Sequence, residues 1–123
     1  LAHAIAQSLT AVPAAHANYL HGEHVAIGTL VQLMMETDQD AKRVAEFFAR
    51  IGLPIHLGQM SMAPDDKSAI DIIVDSTMSW PTSHNMPMPV TPESIRLAID
   101  NAHELGLQVA QSSGDEAYRR LHS

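Results

Sequence analysis

The segment from Glu23 to Glu36, EHVAIGTLVQLMME, most constrains the fold, because its apolar residues do not keep to one side. Val25, Ile27, Leu30, Val31, Leu33 and Met34 lie nearly all round a helix of 3.6 residues per turn, and water tolerates that only when other elements cover it. The sequence therefore predicts a central, buried helix whose coat comes from the flanking segments.

Those segments also repeat at helical spacing. Ala2, Ile5 and Leu9 recur near one turn apart until Pro13 ends the pattern, so the chain opens on the last part of a helix. Over residues 40–51 a stripe of Ala41, Val44, Ala45, Phe48 and Ile51 is set apart from Lys42, Arg43, Glu46 and Arg50, with Gly52 and Pro54 as the stop. A further helix is predicted from about Asp65 to Met78, after a turn at Pro64. The β-branched run Ile70, Ile72, Ile73, Val74 also suits a strand, but Ile70, Ile73 and Val74 recur at helical spacing. The three prolines of WPTSHNMPMPV demand a structured loop. Thr91 then caps a helix with Pro92 at its first position and Glu93 near the positive end of the dipole. Ile95, Ala98, Ile99, Ala102 and Leu105 carry that helix to an expected end at Gly106. A polar linker and a short helix, EAYRRLHS, complete an all-α bundle of about five main helices, read as one domain over residues 1–123.

Composition narrows the function. With 46% hydrophobic and 17% charged residues the chain is of globular type. A net charge of -7 with seven scattered Lys and Arg disfavours nucleic acid, whose phosphates need clustered cations. Without cysteine, any metal must be held by His, Asp or Glu. The start lacks the basic region of a signal peptide, and the absence of an initiator Met is read as a beginning inside something longer. No apolar run approaches the roughly 20 residues of a membrane span.

Eight histidines raise the question of a metal. His16, His21 and His24 lie close together, and His21 and His24 are spaced to share one helix face, where two neutral imidazoles suit zinc if further ligands exist. Spacing alone does not separate such a site from ordinary surface or core histidines, and there is no H-E-x-x-H motif. The chain also has no G-x-S-x-G elbow and no P-loop. Asp71 and Asp75, four apart, are read as a solvated face, and the seven methionines as core filler.

Three passages, LAHAIAQSLTAVPAAHANYLHGEHVAIGTLVQL, RIGLPIHLGQM and SHNMPMPVTPESI, together resemble the C-terminal part of glycerol dehydrogenases, collinearly over about residues 1–106. These belong to the iron-containing alcohol dehydrogenase superfamily, with its dehydroquinate synthase-like fold. The resemblance implies a divalent metal, usually zinc, held by one Asp and two His, and the matching histidines are His3 and His21. His24 falls where the family often carries Lys, and His16 lies in a variable loop. The implied chemistry is reversible NAD-linked oxidation of a polyol, glycerol to dihydroxyacetone, in a cytoplasmic enzyme. The family's Asp ligand and nucleotide-binding half lie upstream of the matched segment, so NAD and activity are expected only with that half as partner, or otherwise a homo-oligomer. The loop around His84, Asn85, Met86 and Pro87 matches a segment near the cleft, and reads equally as a proline-braced turn whose polar side chains satisfy backbone groups. Where the family continues A-H-A-I with H-N-G this chain has Ala6, Gln7 and Ser8, an altered face expected to look into the cleft. Two alternatives remain: a non-catalytic interaction or oligomerisation module derived from such a domain, and an independent metal binder using His16, His24 or His84.

Overall fold

In the computed structural model the segment from His21 to Met35 is helical, with Ala26, Ile27, Gly28, Leu30 and Val31 buried beneath neighbouring helices. The structure describes residues 1–12, 19–37, 39–63, 65–80, 86 and 88–122. Among them the elements are α1 (Ala2–Leu9), α2 (His21–Met35), α3 (Ala41–Ile51), a 3-10 turn (Leu57–Met60), α4 (Lys67–Ser79), α5 (Pro92–Ser113) and α6 (Glu116–Leu121), with no strand. The helical reading of residues 67–79 therefore holds over the strand alternative: Ile70, Ile73 and Val74 are buried on one face, and Asp66 caps the start by accepting the Ala69 N–H at 3.2 Å. Pro13, Pro64 and Pro87 lie outside the described residues.

Helix α2 is the hub, touching α1, α3 and α5, while α4 packs against α1 and α5. Its coat is incomplete, however: Val25, Leu33 and Met34 are only half-buried. In α3 the deepest residues are Ala41, Ala45 and Ala49, whereas Ile51 of the predicted stripe is exposed. Small side chains let this helix lie close to its neighbours, and Gly52, at φ 87°, closes it as predicted. Of the methionines, Met60 and Met62 join the core outright, and Met34, Met35, Met78 and Met86 pack against it.

The predicted end of α5 at Gly106 is corrected. Thr91 and Ser94 cap its start reciprocally, at 2.9 and 3.1 Å, and the helix runs unbroken for 22 residues to Ser113. Gly106 is not a stop but a point of close approach: a Cβ there would lie 1.8 Å from the carbonyl oxygen of Ile55. Gly28 does the same for α2, where a Cβ would lie 2.4 Å from the carbonyl oxygen of Ala2. Both glycines serve by lacking a side chain rather than by adopting an unusual backbone.

The strap that crosses Gly106 is tied down by polar groups. The Gln59 side chain accepts the Ile55 N–H at 2.7 Å, and Nδ1 of the buried His103 accepts the Leu57 N–H at 3.0 Å. The His56 ring stands edge-on to that of His103 with centroids 5.8 Å apart. Burial pushes the His56 pKa below the ordinary histidine range, the nearby His103 pushes it further, and Asp115 opposes them in part.

Two results are expected. Helix propensity alone favours Ala over Gly by about 1 kcal/mol, but the contacts at Gly106 and Gly28 are with backbone that has nowhere to move. Gly106→Ala and Gly28→Ala should each therefore lose about 1–3 kcal/mol in urea unfolding, and a gain in either would contradict the close approach. The depressed His56 pKa contributes stability that is complete above the ordinary histidine value and is lost as the pH falls from there through the lower folded value. The thermal midpoint should fall less steeply for His56→Gln than for the parent between about pH 7 and 5; parallel declines would contradict this.

Candidate functional site

Helix α1 is anchored to α2 by two contacts. The Ala2 N–H donates to the Gln32 side-chain oxygen at 2.8 Å, and the missing side chain of Gly28 admits the Ala2 carbonyl. The next residue, His3, is exposed, and its ring meets that of His21 with centroids 6.0 Å apart and planes at 71°. The two histidines implied by family resemblance, eighteen positions apart in sequence, are thus neighbours at the surface. Two imidazoles that reach one zinc at about 2.0–2.1 Å from each nitrogen hold their centroids roughly 5 Å apart, a little closer than these rings stand. Both rings face solvent, and two imidazole nitrogens suit zinc and similar borderline divalent ions.

His24 does not join them. Only 2% of it is exposed, on the buried side of α2, so the three-residue spacing from His21 does not bring the two onto one open face. His16, His84 and Asn85 lie outside the described residues. Among the described residues no group of three His, Asp or Glu gathers for a metal. Asp71 pairs with Arg96 of α5, and Asp75 is exposed, consistent with a solvated face.

The altered stretch of α1 is corrected in part. Ala6 and Ser8 are fully buried: the Ser8 hydroxyl donates to the Ala4 carbonyl at 2.7 Å and accepts from Thr77 at 3.0 Å. They adjust packing against α4 and do not look outward. Gln7 alone is part-exposed, one turn from His3 on the same helix face.

Sequence reasoning overlooked Glu23. It is 9% exposed, in the first turn of α2, and one carboxylate oxygen accepts the Leu20 N–H at 2.9 Å. This is half a capping box, since Leu20 has no side-chain oxygen with which to return the bond. The other carboxylate oxygen takes His122, which arrives from the end of α6. Both carboxylate oxygens of Glu23 are thus engaged. The His122 ring stacks on Tyr118 at 3.9 Å, and its Nδ1 faces the Tyr118 carbonyl at 2.8 Å. Both ring nitrogens thus face oxygens that only accept, so making both bonds at once requires the imidazolium. Burial alone would lower the His122 pKa, but the Tyr118 carbonyl and Glu23 outweigh it and raise it. The Tyr118 hydroxyl donates to the Gln59 carbonyl, which ties α6 to the strap. A Glu three residues past a helix start is the signal that could have revealed the cap; nothing in the sequence announces His122, 99 residues away.

No helix among the described residues is long and apolar enough to cross a membrane. No protein-family model matches the chain. It is 37% identical over 113 residues to a glycerol dehydrogenase of Escherichia coli, covering 89% of this chain and 30% of that enzyme. To a glycolaldehyde reductase of Halobacterium salinarum it is 33% identical over 111 residues, covering 88% of this chain and 30% of the relative. The crystal structure of glycerol dehydrogenase from Schizosaccharomyces pombe superposes with a TM-score of 0.82 and 30% identity, over 92% of this chain and 30% of that one. The chain therefore spans about a third of the length of the curated relatives it matches. In sequence and in fold, it is homologous to the C-terminal helical part of the glycerol dehydrogenases, which have the iron-containing alcohol dehydrogenase fold.

Proposed function

We propose that this chain forms the metal-binding helical domain of a glycerol-dehydrogenase-like oxidoreductase, with His3 and His21 as two of the protein ligands of a divalent cation, zinc by resemblance. The observation that supports this reading is the pairing of these two rings at 6.0 Å on an open surface. The remaining protein ligand, an Asp in the family, and the NAD site belong to a nucleotide-binding half that acts as partner. Residues 1–123 on their own do not turn over glycerol, and the natural setting is cytoplasmic.

In that role the chain's own residues do three things. His3 and His21 present neutral nitrogens to the cation, the α1–α2 contact keeps the two rings together, and Gln7 offers an amide beside His3 that can hydrogen-bond a polyol. A bound divalent cation would polarise a hydroxyl and lower its pKa, which is the chemistry that alcohol oxidation needs. Hydride transfer itself is the business of the nicotinamide.

The reading as an interaction module rests on a different observation: Leu20, immediately before His21, is 76% exposed. A single exposed leucine is common on a protein surface, and the interest of this one is its place beside the candidate site. A nucleotide-binding half would cover it in the enzyme, and a second copy would cover it in the module.

The experiment is a zinc titration of the metal-free full chain, followed by addition of the nucleotide-binding half of a homologous glycerol dehydrogenase with NAD. His3→Ala and His21→Ala should each weaken zinc binding by at least about tenfold, since each removes one of few ligands, and the parent complex should oxidise glycerol. Unchanged zinc affinity in both variants, or inactivity of a folded and verified complex, would overturn the proposal. Self-association without zinc binding would favour the module.

A further inference from the structure

Helix α6 is short and largely exposed, yet His122, the residue that follows it, bonds Glu23, two positions from His21. Residues Glu23 and His122 lie on opposite sides of the chain's sequence and meet through the buried carboxylate of the first turn of α2. That same carboxylate holds the Leu20 N–H at 2.9 Å, and Leu20 is the residue that leads into His21. The backbone of this first turn is completed by the N–H groups of Glu23 and His24, which donate to the Leu20 carbonyl at 3.0 and 3.2 Å.

Three further contacts set where His122 sits. Its ring stacks on Tyr118, the Tyr118 hydroxyl is bonded to the Gln59 carbonyl of the strap, and the neighbouring Tyr19 hydroxyl is paired with Ser61 at 2.8 Å. His122 therefore approaches Glu23 from a braced platform. A carboxylate pulled from one side by this ring and bonded on the other to the helix cap has little freedom, and the cap inherits that restriction. His21, the first residue of the helix, has its backbone set by the same cap.

We propose that α6 is a positioning element for the candidate metal site: His122 clasps Glu23, Glu23 fixes the cap at Leu20, and the cap sets the direction from which the His21 ring meets His3. This inference deepens the metal-site reading and rests on it for its functional meaning. The clasp itself is a property of the metal-free chain and is tested there. His122 touches neither substrate nor metal and acts only through Glu23.

The test compares the metal-free full chain with His122→Ala, His122→Gln and Arg119→Ala at constant pH, by NMR of the Leu20 amide and of the His3 and His21 rings. Arg119 forms an exposed ion pair with Asp115 within the same helical segment, so its loss perturbs α6 without touching Glu23. His122→Ala should speed Leu20 amide exchange by at least about tenfold, shift the His21 ring resonances, and leave the amides of Ile99 and Val109 unchanged. Glutamine keeps one N–H donor for Glu23 and should recover most of both effects, and Arg119→Ala should cause neither. Unmoved Leu20 and His21 signals in a folded His122→Ala would overturn the proposal, as would equal disturbance by Gln or by Arg119→Ala. A zinc titration run in parallel separates the two readings: a parent chain that shows the clasp but binds no zinc removes the metal site and leaves the clasp standing.

Discussion

Gly28 is where α1 and α2 meet backbone to backbone, and the position of the candidate site follows from that contact. With any larger residue there, the Ala2 carbonyl could not approach, and the Ala2 N–H would lose its bond to Gln32 at 2.8 Å. His3 is the next residue, so its ring is carried to His21 by a packing constraint in which neither histidine takes part. Small and buried residues fix the geometry, which leaves both imidazoles facing solvent.

The same logic recurs at Gly106, where α5 admits the strap through Ile55, and His103 then accepts the Leu57 N–H. Of the described residues' two ring pairs between histidines, one is therefore structural and one is open. The His56–His103 pair is placed against the core, where burial opposes ionisation of His56, and His103 holds a strap. The His3–His21 pair is exposed to solvent. Residue type alone gives no hint of this difference; burial and hydrogen bonding decide it.

Much of the helical order was legible in the sequence because apolar periodicity reports it directly. Ile70, Ile73 and Val74 identified a helix against their own β-propensity, and Thr91 with Pro92 marked the start of α5. What misled was local grammar overridden by tertiary contact. Gly106 has the look of a helix stop, but its function, leaving room for Ile55, is visible only once the strap is folded onto α5. The outward role expected for Ala6 and Ser8 failed likewise, since burial against α4 is not encoded in three residues. For the site, family resemblance selected His3 and His21, which spacing could not. The link from His122 to Glu23 was illegible because a contact across 99 residues leaves no local pattern.

The central claim is that two histidines brought together by the α1–α2 contact serve as ligands of one ion. X-ray absorption on the zinc-loaded full chain tests it most directly, because scattering from the imidazole ring counts histidine ligands. Two imidazole nitrogens are expected at about 2.0–2.1 Å, with one remaining in His21→Ala. A zinc shell without imidazole, or one whose imidazole count is unaffected by that substitution, would contradict it.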